Sequence, residues 1–165
     1  MTDDLNTRSS EHEDLYSHLG QMVVSAASLE LRLQLLAREL CASRYSSHFI
    51  DGESSSKIIQ LAGAIAKDHP TVTPDQLSKL QAILAECKEL FERRHGYVHG
   101  VWIVNSADGP PEWPARQTAR HTRRGMRLGV LSVEDLTDLI QRLGRVQEAI
   151  DDWILKKIIT EQGAT

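Results

Sequence analysis

A chain of 165 residues is long enough to bury one hydrophobic core and short for more than one domain. Its 41% hydrophobic and 25% charged residues exclude a disordered tract, and a formal net charge of −4 excludes attraction of nucleic acid over the whole surface. The two cysteines, Cys41 and Cys87, lie outside any CxxC or Cys-His spacing, which argues against a disulfide framework and for a reducing compartment.

The opening "MTDDLNTRSSEHED" is polar and acidic, unlike a secretory leader, and residues 1–12 are expected to be a disordered tail. No apolar run approaches the roughly 20 residues of a membrane span. No membrane association is therefore expected, and the expected location is cytoplasmic. From Leu15 the apolar positions keep a four-three rhythm: Leu15, Leu19, Met22, Ala26, Leu29, Leu33, Leu36 and Leu40. That rhythm predicts a long amphipathic helix. A second stripe, Val24, Ala27, Leu31 and Leu35, lies on another face. Two apolar faces predict burial on two sides, one in the chain's own bundle and one against a further helix layer or a second subunit.

A short helix is predicted over 55–67, with Ile58, Ile59, Leu61, Ala62, Ile65 and Ala66. "KDHPTVTPDQ" reads as a loop, Pro70 disfavouring helix at His69. Thr73, Pro74 and Gln76 then mark a helix start: an N-cap, a first-turn proline and the partner of a capping box. The stripe that follows is Leu77, Leu80, Leu84, Cys87 and Phe91, and its next position is Arg94. A guanidinium thus extends a core-facing stripe where another leucine would be expected. Gly96 and Gly100 each disfavour helix by about 1 kcal/mol relative to alanine, so the helix is expected to weaken there. "VWIV", Val101 to Val104, has strand character, and 104–130 reads as a basic loop or hairpin insertion. Ser132 and Asp135 mark the start of a last helix with the stripe Leu136, Ile140, Leu143, Val146, Ile150, Ile154 and Ile158. Four helices, three of them long, predict a single all-α, up-down helical domain over 1–165.

The chemistry concentrates in "ERRHGYVHG". Arg94 and His99 together supply what RNA cleavage without a metal requires. An imidazole titrates near neutrality, so it can take a proton from a ribose 2′-hydroxyl or give one to the departing oxygen. A guanidinium stays charged and holds two phosphate oxygens in its planar fork as negative charge builds. Residues five apart on an ideal helix differ by about 140°, so the two share a cleft only if Gly96 bends the helix or a second copy completes the site. A metal reading uses His95, His99 and Glu92, spaced for one helical face, but Gly96 weakens the helix between those ligands and two arginines adjoin them. A third reading is a polar helix C-terminus: basic groups there favour the helix dipole and Gly100 suits the position after the helix. It accounts for Arg93, His95 and Gly100 but not for Arg94 in the core stripe. Further on, Arg116, Arg120, Arg123, Arg124 and Arg127 fall in a segment without acidic residues, suited to phosphate contacts or to an acidic partner.

"RHGYVH", Arg94 to His99, resembles the signature of the HEPN superfamily (higher eukaryotes and prokaryotes nucleotide-binding domains): an arginine, a polar residue that is usually Asn, Asp or His, three residues, then a histidine. Arg94, His95 and His99 match it position for position, late in a helical chain of about the family's size. The resemblance implies an HEPN-like bundle and a metal-independent endoribonuclease, often a toxin, working as a homodimer whose two motifs line one cleft. On it Arg94 and His99 carry the chemistry, His95 orients them, and no cofactor or metal is expected. Arg93 also lies within signature range of His99, though the helical stripe favours Arg94. The expected partners are RNA, a second copy, and an antitoxin or defence-complex protein. Arg93 and the five arginines from Arg116 to Arg127 are the expected RNA contacts. One branch of the family carries a tyrosine two positions beyond the motif histidine, where an antitoxin adds AMP; here that position is Val101, and Tyr97 lies inside the motif instead. The other expectation is a non-catalytic module of the same fold that binds a partner protein or a nucleotide.

Overall fold

The computed structural model describes residues 2–99, 112–115, 127–130 and 133–163, with side chains over 13–99 and 133–157. In chain order these form α1 (Thr2–Cys41), α2 (Ser47–Ile50), α3 (Ser55–Asp68), α4 (Pro74–His99), β1 (Glu112–Ala115), β2 (Arg127–Val130) and α5 (Val133–Gly163). The fold is all-α, apart from a ribbon in which β1 and β2 pair antiparallel, Trp113 opposite Gly129. No helix among the described residues is long and apolar enough to cross a membrane. α1 takes in residues 2–12, where composition suggested a tail, and the four-residue α2 carries no periodic signal from which it could be anticipated. Ser132, Val101 to Val104 and residues 116–126 of the basic segment lie outside the described residues.

The chain divides into two compact units. The larger comprises Ser25–Phe91 and Arg142–Thr165. Its core holds Leu29, Leu33, Leu36 and Leu40 of α1, Ile58, Ala62 and Ala66 of α3, Leu80, Leu84, Cys87 and Leu90 of α4, and Leu143, Val146, Ile150 and Trp153 of α5. Polar contacts give the helix directions. Gln147 Nε2 donates to the Ser25 carbonyl at 3.0 Å, Arg32 pairs with Asp151 at 2.9 Å, and Lys157 faces Glu39 at 3.8 Å. Residue numbers rise together, so this part of α1 runs parallel to α5. The indole of Trp153 donates to the Gln76 carbonyl at 2.9 Å, while Arg142 bonds Glu86 at 3.3 Å and Glu89 at 2.8 Å. Here the numbers run oppositely, so α4 is antiparallel to α5. The long helices go up, down and up.

Local chemistry sets the starts. At α4 the capping box forms as the sequence predicts: Thr73 N–H donates to Gln76 Oε1 at 2.9 Å, and Gln76 N–H to Thr73 Oγ1 at 3.3 Å. Ser54 caps α3 by accepting from the Lys57 amide at 3.3 Å. α3 stops at Asp68, and His69, before Pro70, is extended at ψ 126°.

The α5 stripe departs from the predicted one. The buried positions are Leu136, Leu139, Leu143, Val146, Ile150, Trp153 and Lys157, while Ile140 and Ile154 are only half-buried. Alternating steps of three and four hold one face, whereas successive steps of four drift by about 40° each. Burial, reinforced by the negative charge of Glu86, pushes the Cys87 thiol up to about 12, so it stays protonated and unreactive across the physiological range. A thiol reagent at pH 8 is expected to label half-buried Cys41 first, with Cys87 labelled only as the protein unfolds in denaturant.

The smaller unit comprises Met1–Val24 and Glu92–Gln141. It buries Leu15 and Met22 of α1 with Leu136 and Leu139 of α5, and it contains the last two turns of α4.

Candidate functional site

The polar end of α4 is helical to His99, so the helix does not end at Gly96, where the glycine spacing predicts weakening. A Cβ built on Gly96 meets nothing within 4 Å. Gly96→Ala is therefore expected to stabilise the protein by about 0.5–1 kcal/mol, read as a higher urea midpoint at unchanged slope.

The two arginines have different environments. Arg93 reaches across to the first turns of α5, where one terminal nitrogen donates to Asp138 Oδ2 at 3.0 Å and the other to the Asp135 carbonyl at 3.4 Å. Burial works against its charged form, but hydrogen bonds with Asp138 and Tyr97 outweigh that and hold the guanidinium above its ordinary value. Arg93 is thus occupied as a tether between α4 and α5. Arg94 is half-buried, and its Nε is buried with no hydrogen-bond partner among the described residues. Leaving such a donor unmet costs about 1–3 kcal/mol, which stability alone does not explain.

His95 and His99 are exposed, one turn apart, with ring centroids 4.5 Å from each other. The helix brings these two imidazoles together. On an unbent helix Arg94 lies about 100° from His95 and about 140° from His99. Among the predicted contact arginines, Arg127 opens β2 opposite Ala115, and Arg116, Arg120, Arg123 and Arg124 lie outside the described residues. Sequence reasoning missed Asp135 and Asp138 as the groups that hold Arg93. The available signal was Asp138, a carboxylate in the early turns of the helix that follows the basic end of α4; Asp135 contributes its main-chain carbonyl, which side-chain type does not reveal.

On α1 the second apolar stripe faces solvent: Val24 is 66% exposed, Leu31 51% and Leu35 45%, with Ala27 exposed between them. Among the described residues, no group of three or more His, Cys, Asp or Glu side chains could hold a metal ion. No family model, curated protein or solved structure matches the chain.

Proposed function

We propose that this chain is a metal-independent, HEPN-type endoribonuclease that acts as a homodimer in the cytoplasm, as a toxin or defence effector held in check by a partner protein. The observation that carries the reading is Arg94: a guanidinium in the apolar stripe of α4, its Nε buried and without a hydrogen-bond partner among the described residues, five residues before an exposed histidine. Arg93 is already committed to Asp138, which leaves Arg94 as the phosphate clamp. His99 acts as general acid and base, and His95, against its ring, positions it. The ribose 2′-oxygen attacks phosphorus and its proton leaves to an imidazole. The 5′-oxygen departs protonated, giving a 2′,3′-cyclic phosphate and a 5′-hydroxyl.

Because α4 is continuous through Gly96, one copy does not present Arg94 and His99 on one face, and a second copy supplies the missing group. The exposed Leu31 and Leu35 of α1 support pairing of copies, since exposed apolar faces mark association sites. Incubation of the protein with mixed RNA in excess chelator, followed by end-group analysis, tests the reading. Cyclic phosphate ends are expected, and cleavage that survives a 2′-deoxy substitution at the cut site would refute it.

The separation of Arg94 from His99 around the helix also favours a second reading, a non-catalytic module that binds a partner protein or nucleotide. On that reading no RNA is cut, and His99→Ala leaves partner binding intact.

A further inference from the structure

We infer that His95 and His99 form a chelating pair for a borderline-soft divalent cation, Ni²⁺ or Cu²⁺, and that this cation switches the α4 site off. The chelation stands on geometry alone, while the switching rests on the ribonuclease reading above.

Histidines four apart chelate through one turn of helix only if that turn is formed. It is formed here, since α4 runs unbroken through Gly96 to His99. An imidazole nitrogen binds these metals at about 2.0–2.1 Å, which places the ring centre about 3.2 Å from the ion. Two such rings at a 90° angle have centres about 4.5 Å apart, and at a tetrahedral angle about 5.2 Å. The observed separation is 4.5 Å. It matches the right-angled coordination of Ni²⁺ and Cu²⁺ more closely than the tetrahedral habit of Zn²⁺. The centre of each ring lies close to the line of its Cβ–Cγ bond, so turning a ring about that bond to direct a nitrogen at the ion leaves this separation nearly unchanged. Both rings are exposed, so water completes the coordination.

The charges allow it. Arg93 and Arg94 lie about 100° or more around the helix from either histidine, and Arg93 is neutralised by Asp138 at 3.0 Å. His99 is the last residue of α4, where the partial negative charge of the final carbonyls favours a cation. With no third protein ligand the site releases its ion readily, which suits a reversible inhibitor better than a structural metal. A bound ion occupies a ring nitrogen of His99, and that imidazole then cannot complete its proton transfers.

The test is calorimetric titration of tag-free protein with NiCl₂. The wild type is expected to bind one Ni²⁺ per chain, and His95→Ala and His99→Ala each to bind at least about tenfold more weakly. Circular dichroism verifies that both variants remain helical. Wild-type affinity in either folded variant, or no binding by the wild type, overturns the chelate. In the cleavage assay Ni²⁺ is expected to stop the reaction, excess EDTA to restore it, and Mg²⁺, which prefers oxygen ligands, to leave it unchanged. Cleavage undiminished with the site saturated by Ni²⁺, or equal inhibition by Mg²⁺, overturns the switch. If the chelator-treated protein cuts no RNA, the ribonuclease reading fails and the titration still decides the chelate.

Discussion

On the proposed ribonuclease reading, replacing His99 with alanine is expected to lower RNA cleavage by about 10²–10⁴-fold, the contribution of a well-placed general acid or base, and to leave the urea unfolding midpoint nearly unchanged. The side chain is exposed at the end of a helix, and substitutions in such places usually move stability by less than about 0.5 kcal/mol. Arg94→Leu is expected to lose that cleavage as well, but its stability is expected to move the other way. It removes a buried Nε that lacks a partner and fills the stripe position after Leu84, Cys87 and Phe91 with an apolar group. A gain of about 1 kcal/mol is expected. A variant that is more stable and inactive identifies a residue kept for function at the fold's expense. If both variants cut RNA as the wild type does, the site lies elsewhere. If Arg94→Leu is strongly destabilised, the guanidinium has a structural partner and its catalytic assignment weakens.

The largest effect on stability is expected at Trp153. Its side chain is 5% exposed in the larger unit, and its indole N–H bonds the carbonyl of Gln76 in the first turn of α4. Trp153→Ala removes a large buried ring and the bond with it, at a cost of about 3–5 kcal/mol. A domain of this size has about 5–15 kcal/mol in total, so equilibrium urea unfolding should show a sharply lower midpoint. Trp153→Phe keeps most of the packing and loses the hydrogen bond, which predicts a smaller cost of about 0.5–1.5 kcal/mol. Equal losses in the two variants would mean that the hydrogen bond, not the ring, anchors α5.

Local signals in the chain proved the most legible. The α4 start was written in Thr73, Pro74 and Gln76, because capping is settled within four residues. The core face of α1 was legible for the same reason: of its eight stripe positions only Leu19 is less than fully buried. Register over distance was harder. The face of α5 was missed in two places: Leu139 is buried rather than Ile140, and after Ile150 the buried residues are Trp153 and Lys157, because an apolar count does not choose between neighbouring apolar residues and favours isoleucine over a lysine. The fate of Arg93 and Arg94 was the hardest part to read. Their helical angles are fixed by position, but which one meets a carboxylate depends on Asp138, 45 residues away. Gly96 misled by propensity: a penalty of about 1 kcal/mol does not end a helix held at Arg93 by α5.

The parallel pairing of α1 with α5 also governs when the protein can exist. Arg32 waits for Asp151, 119 residues later, and Ser25 for Gln147, 122 residues later. A chain emerging from the ribosome at about 5–20 residues per second holds α1 without this partner for several seconds or more. During that interval its core face is open to chaperones or to a waiting binding protein. Such long-range closure also slows folding relative to bundles whose neighbours are adjacent in sequence. The larger unit therefore completes itself only after α5 has emerged, and a partly made chain lacks the finished bundle.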